Sequence, residues 1–114
     1  MRTREEAIEF CLTFAGAYED YPFDDSNWTL MRHRINRRAF ACIFERENAI
    51  WINVKCDPMQ AEFWRGAYSS IRPAYHMNKQ HWNSIILDGT VPEPMICGMI
   101  EDSYALTGPH NRTI

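Results

Sequence analysis

Glycine is scarce in this chain. There are five in 114 residues, none grouped into a Gly-rich loop that would cradle a phosphate, so nucleotide hydrolysis has no support. No Cys-x-x-Cys pair occurs either. Cys11, Cys42, Cys56 and Cys97 stand 31, 14 and 41 residues apart, which matches no zinc-ligand spacing. No apolar run approaches the roughly 18–20 residues needed to cross a bilayer. The opening Met1-Arg2-Thr3-Arg4-Glu5-Glu6 is charged where a secretion signal would be apolar. These absences predict a cytoplasmic protein with reduced thiols, no membrane contact and no metal or other cofactor. A positive excess is also missing. Twelve basic residues against 15 acidic ones give a net charge of −3, which weighs against a whole-surface nucleic-acid binder.

What is present is a foldable core. A hydrophobic content of 46%, with 13% aromatic residues, excludes a disordered chain and fits one domain over residues 1–114, expected as a monomer. The charge is unevenly spread. Across residues 1–26, Arg2 and Arg4 face Glu5, Glu6, Glu9, Glu19, Asp20, Asp24 and Asp25. Across residues 27–46, Arg32, Arg34, Arg37, Arg38 and Arg46 face only Glu45. One basic segment of hairpin size therefore sits in an acidic frame.

Thr3 and Glu6 form a capping box that starts a helix over residues 4–15, with Ala7, Ile8, Cys11, Leu12 and Ala15 on one face and Gly16 at its end. Residues 17–27 read as a loop pinned to the core by Tyr18, Tyr21 and Phe23. Strands follow at Trp28–His33, Arg38–Phe44 and Ala49–Cys56, with Asn36 at positive φ in the first turn and Glu47-Asn48 in the second. Asp57 caps a second helix with Pro58 at its first position, over residues 58–67, with Phe63, Trp64, Ala67 and Tyr68 as its apolar side. Strands at Ser69–His76 and Trp82–Leu87 flank a turn, and Pro73 places the first of them at a sheet edge or bulge. Thr90 and Glu93 suggest a capping box for a third helix over 92–107, which buries Ile96, Met99, Ile100, Ser103 and Tyr104 and stops at Gly108-Pro109. Residues 110–114 read as a frayed tail. The order α-β3-α-β2-α predicts an α+β sandwich with five antiparallel strands and helices packed on the sheet.

The most distinctive stretch is Tyr75-His76-Met77-Asn78-Lys79-Gln80-His81-Trp82-Asn83. With Tyr21-Pro22-Phe23, Trp28-Thr29-Leu30-Met31-Arg32-His33, Asn53-Val54-Lys55-Cys56-Asp57-Pro58, Arg72-Pro73-Ala74 and Leu87-Asp88-Gly89, it makes the chain resemble the MmcQ/YjbR family. Those small bacterial proteins are described as DNA-binding. The resemblance implies the same α-β3-α-β2-α sandwich and DNA contact through a double-wing arrangement of loops.

Two constellations carry the functional expectation. The hairpin Arg32-His33-Arg34-Ile35-Asn36-Arg37-Arg38 can lie along a phosphate backbone, because arginine forks match phosphate oxygens; the bland reading pairs its arginines with the acidic residues 19–25. In the turn His76, Asn78, Lys79, His81 and Trp82, asparagine can read adenine and the rings can stack; the bland reading is a self-bonded turn with Asn78 on backbone amides. A metal site from Cys56, His76 and His81, or a Cys56–histidine nucleophile oriented by Asp88, lacks any recognised spacing. The run Glu19-Asp20, Asp24-Asp25 could bind a cation but does not match an EF-hand loop, and Trp28, Trp51, Trp64 and Trp82 could form an aromatic cage, with core packing the plainer role for most of them. The expected function is non-enzymatic DNA binding through Arg32, Arg34, Arg37, Arg38, His76, Asn78, Lys79, His81 and Trp82. The alternative is a protein- or small-ligand-binding adaptor, since similar sandwiches serve as chaperones.

Overall fold

The Thr3 hydroxyl accepts from the Glu6 amide at 3.1 Å and the Glu6 carboxylate accepts from the Thr3 amide at 3.1 Å, so the capping box forms and starts α1 (Arg4–Leu12). The computed structural model describes residues 1–109. Its further elements are β1 (Ala17–Asp20), β2 (Thr29–His33), β3 (Ala39–Arg46), β4 (Ala49–Lys55), α2 (Pro58–Ala67), β5 (Ile71–Pro73), β6 (Trp82–Ile86) and α3 (Glu93–Thr107). The strands form one antiparallel sheet in the order β1-β2-β3-β4-β6-β5. The expected α+β fold is present. The tail expected at 110–114 lies outside the described residues.

Several local expectations need correction. The sheet has six strands, because Ala17–Asp20 pairs with β2 instead of looping. α1 ends at Leu12, not residue 15; Thr13 caps it by bonding the Phe10 carbonyl at 2.6 Å, and Gly16 at φ 69° turns the chain into β1. β5 keeps only three residues of the expected 69–76 strand. α3 starts after Pro92 without a side-chain cap, because the Thr90 hydroxyl is taken by Asp88 at 2.6 Å and Ser70 at 2.7 Å. α2 forms as expected, with Asp57 accepting from the Met59 amide and Pro58 leading the first turn. Its apolar side is different: Phe63 and Ala67 are exposed, while Ala61 is buried and Trp64 and Tyr68 are half-buried. Tyr21 and Phe23 are also exposed, so they do not pin their loop to the core.

Strand alternation gives the sheet two unlike faces. One carries Met31, Ala41, Ile43, Ile52, Val54 and Ile85, packed under Ala7 and Cys11 of α1 and Ile96, Met99 and Ile100 of α3, with Trp64 and Tyr68 of α2 at its margin. The other carries Phe44, Trp51 and Ile86, joined by Trp28 and Tyr75 and by no helical residue. A register shift between Met31 and Arg32 leaves Phe40 as an extra residue in β3 and turns its ring to the helix face, beside Phe14 and Tyr104. The buried Ser103 of α3 fills the gap this opens in the ladder. Its hydroxyl donates to the Phe40 carbonyl at 2.6 Å and accepts from the Lys55 amide at 2.8 Å. The sheet edges are short: β1 has four residues and ends on Glu19-Asp20, and β5 has three and ends on Pro73, at an edge as its proline predicts.

Candidate nucleic-acid interface

The hairpin between β2 and β3 is rooted by His33. Its buried imidazole lies between Phe40 and Tyr104, with Nε2 2.8 Å from the Thr107 hydroxyl. Burial holds its pKa below the ordinary 6.5. Arg37, not Asn36, takes the positive φ, at 62°. Asn36 serves as a clamp instead. Its carbonyl oxygen accepts from the Arg38 amide at 2.9 Å, and its amide donates to the Thr107 carbonyl at 2.9 Å.

Arg32 is an internal brace. Its Nε donates to Asp20 at 2.8 Å and its Nη1 to the Arg37 carbonyl at 2.8 Å. The expected pairing of hairpin arginines with residues 19–25 is met by this one bridge. Arg34, Arg37 and Arg38 are exposed and make no ion pair among the described residues. Arg34 lies over the Tyr18 ring at 5.3 Å, and Ile35 beside it is 74% exposed. The hairpin thus presents three free cations around an apolar tip.

The second constellation is held from several sides. The Ala74 amide donates to the Trp82 carbonyl at 3.2 Å and closes the loop. Asn78 accepts from the Gln80 and His81 amides at 2.9 and 3.3 Å, so its carbonyl oxygen is spent on the turn. Lys79 Nζ donates to the Ala74 carbonyl at 3.2 Å. Arg65, reaching across from α2, donates to Asn83 Oδ1 at 2.6 Å and to the carbonyls of Lys79 and Trp82. His81 is exposed, and Trp82 is half-buried on the side of β6 that carries Ser84 and Ile86.

Tyr75 and His76 fold back over the helix-free face. The Tyr75 amide donates to the Ser84 hydroxyl at 3.0 Å, and its carbonyl accepts from Asn53 at 2.8 Å. Ser84 donates in turn to Asn53, and both side chains are fully buried. This polar pair explains why an aromatic face tolerates Asn53 and Ser84: each satisfies a backbone group of the loop that covers it. His76 follows at φ 62°, its ring 4.0 Å from Tyr75 and 6.3 Å from Trp28.

Sequence reasoning missed the surface these rings create. Trp28 stacks on Phe44 at 4.2 Å; Arg46 lies over Tyr75 at 4.3 Å and Trp51 at 5.0 Å, and Arg72 over Trp51 at 5.7 Å. The available signal is Trp28 with Trp51, whose plainer expected role is core packing. Beside the rings lies a pocket of about 390 Å³ lined by Phe23, Asp25, Trp28, Leu30, Cys42, His76 and Met77.

The hairpin and the Asn78–Trp82 part of the turn share one end of the sheet, while His76 lies apart over the aromatic face. Ala41 pairs with Val54 and Val54 with Asn83, so the start of β3, the end of β4 and the start of β6 lie side by side. At about 4.8 Å per strand, β3 and β6 are about 10 Å apart there. Cys56 reaches His81 by a backbone bond of 2.8 Å, whereas His76 lies against Tyr75 and Trp28. Among the described residues no three His, Cys, Asp or Glu side chains gather as metal ligands. Burial, with Asp102 and Asp57 nearby, pushes the Cys56 thiol up to about 11, which keeps it protonated at neutral pH. Asp88 belongs to the far end of β6, where it accepts from Ser70 and Thr90.

Residues 12–106 match the YjbR family model. The Escherichia coli K12 protein YjbR is 31% identical over 102 residues, covering 90% of this chain and 84% of that one. The Bacillus subtilis protein YyaQ is 32% identical over 118 residues, covering 94% and 99%. Both are named as uncharacterized, so they bring a family and no activity. Among solved structures, a Deinococcus radiodurans protein with a DUF419 domain superposes with a TM-score of 0.87 at 30% identity, over 99% of this chain and 83% of its own. A Pseudomonas syringae protein does so with a TM-score of 0.83 at 26% identity, over 93% and 99%.

Proposed function

This chain belongs to the YjbR family, and we propose that it is a non-enzymatic, cytoplasmic nucleic-acid-binding domain that engages DNA at the hairpin end of its sheet. The observation that carries the reading is the placement, at one end of the sheet, of three exposed arginines that have no carboxylate partner among the described residues and of a turn bearing Lys79 and His81. Arg34, Arg37 and Arg38 supply phosphate contacts, and Lys79 adds a cation. His76, His81 and Trp82 offer rings for stacking. Arg32 and Asn78 act as scaffold, because Arg32 Nε and Nη1 and the Asn78 side-chain oxygen are bound internally. The net charge of −3 confines attraction to this end and favours modest affinity.

Fluorescence anisotropy with labelled duplex DNA, single-stranded DNA and RNA across a salt series tests this. Affinity is expected to fall steeply with salt. Arg34→Ala and Arg37→Ala each flatten the log–log slope by about one unit, equally for all sequences. Absence of binding at low salt, or binding indifferent to salt, rejects the reading. A second reading, a small-ligand-binding adaptor, is favoured by the pocket beside Trp28 and His76.

A further inference from the structure

The pocket on the helix-free face has a composition that folding alone does not explain. Its floor is Leu30 and Cys42, both buried, and one wall is the half-buried Trp28 held flat against Phe44. Phe23 forms another wall while 54% exposed, a cost to a free surface that a stacking partner would remove. His76 lines it at φ 62°, next to Tyr75, whose backbone the Asn53–Ser84 pair holds in place. Asn27 fixes the other side, accepting from Arg4 at 2.9 Å and donating to the Glu45 carbonyl at 3.0 Å.

The one lining carboxylate is Asp25. Its Oδ1 accepts from the Asn27 amide at 2.9 Å, and among the described residues its Oδ2 has no partner. Among the described residues no arginine or lysine lines the pocket, so a phosphate finds repulsion there. A flat ring carrying N–H donors finds an acceptor and ring faces.

We infer that this pocket receives a single unstacked nucleobase, with guanine preferred. An ionised carboxylate only accepts. Guanine presents two adjacent donors, N1–H and N2–H, on its Watson–Crick edge. Adenine and cytosine pair one donor with an acceptor that meets the carboxylate lone pairs, and thymine flanks its single N–H with two carbonyls. The base enters from a single strand or an extruded position, while the backbone runs toward Arg34, Arg37 and Arg38. The inference rests on the nucleic-acid reading for a base carried on a strand; a free nucleoside satisfies the same chemistry.

The experiment has two arms. In the first, the four deoxynucleosides are titrated at millimolar concentration while the Trp28 indole N–H is followed by two-dimensional NMR. Deoxyguanosine is expected to shift Trp28 and His76, with the other three at least severalfold weaker. Asp25→Asn keeps an oxygen for the Asn27 amide and so keeps the turn, but is expected to lose the preference. In the second, short single strands with one guanine are compared with strands carrying an abasic residue there, with an expected loss of about tenfold, at the lower end of one bidentate base contact. Nucleoside binding at Trp28 without strand binding upholds the pocket and removes the nucleic-acid reading. Strand binding indifferent to the base, with Trp28 unmoved by nucleosides, overturns the pocket and leaves that reading standing. Failure of both arms removes both. Thymidine binding as well as deoxyguanosine, or an unaltered preference in Asp25→Asn, overturns the proposed role of Asp25.

Discussion

Ile52 and Asn53 are neighbours in β4, both fully buried, and they point to opposite faces of one sheet. Ile52 lies in a largely aliphatic layer, with Phe40 and Tyr104 at one side, closed by three helices. Asn53 lies in an aromatic layer closed by a loop that it bonds itself. The first face is held by non-directional burial, which tolerates repacking. The second is held by a few directional bonds that fix one loop in one place. Stability therefore concentrates on the helix side, while the other side fixes the position of Tyr75 and His76.

The sharpest way to break this contrast is Ile52→Ala. It removes a buried side chain from beneath the helices and is expected to cost about 2–5 kcal/mol, read from urea unfolding. A cost below about 1 kcal/mol, the range of a volume-conserving swap, contradicts a close-packed helix face. Asn53→Ala is expected to cost less, about 1–3 kcal/mol, by leaving the Tyr75 carbonyl and the Ser84 hydroxyl without their partner. Its signature is local: amide exchange at Tyr75 and His76 quickens more than in β3. Uniform quickening across the sheet argues against the loop being a separate layer.

A smaller effect comes from acid. His33 sits on the helix side with a pKa held below 6.5 by burial. The unfolded chain takes up a proton below pH 6.5 while the folded imidazole stays neutral. The His33 contribution is therefore whole above pH 6.5 and is lost as pH falls from there toward the folded value. The unfolding midpoint should drop between about pH 7 and pH 5, and His33→Gln should lessen that drop. An equal drop in the variant assigns the acid sensitivity elsewhere. The smallest change in stability is expected for Arg34→Ala and Arg37→Ala, within about 0.5 kcal/mol, since neither makes an ion pair among the described residues. A larger loss means the arginines support the hairpin and are not free for a ligand.

The helices and the long strands were legible because their signals are local. Thr3 with Glu6 and Asp57 with Pro58 mark helix starts through neighbours in sequence, and Ile50, Ile52 and Val54 repeat with the strand period. β1 was not legible, because two of its four residues are the acids Glu19 and Asp20, and its strand character comes from pairing with β2 and from Arg32. The bulge at Phe40 depends on register, which alternation alone does not encode. Of the candidate site, the hairpin cations and the polar turn showed as clusters. Arg65 and Arg72 did not, being single residues of α2 and β5 that reach Asn83 and Trp51 only in space. The pocket joins Phe23 and Asp25 to His76 and Met77 across some fifty positions, a separation no local pattern spans.

The brevity of the two outer strands bears on how copies of this chain meet one another. A growing cross-β stack needs a long, flat run of unpaired amides and carbonyls to template the next chain. β1 offers four residues and places two negative charges beside any newcomer; β5 offers three and spends one on Pro73, which has no amide hydrogen to donate. A six-stranded sheet rich in isoleucine and aromatic rings thus carries its own gatekeepers at both margins. Lengthening β5 by replacing Pro73 would open a template where the present chain offers almost none.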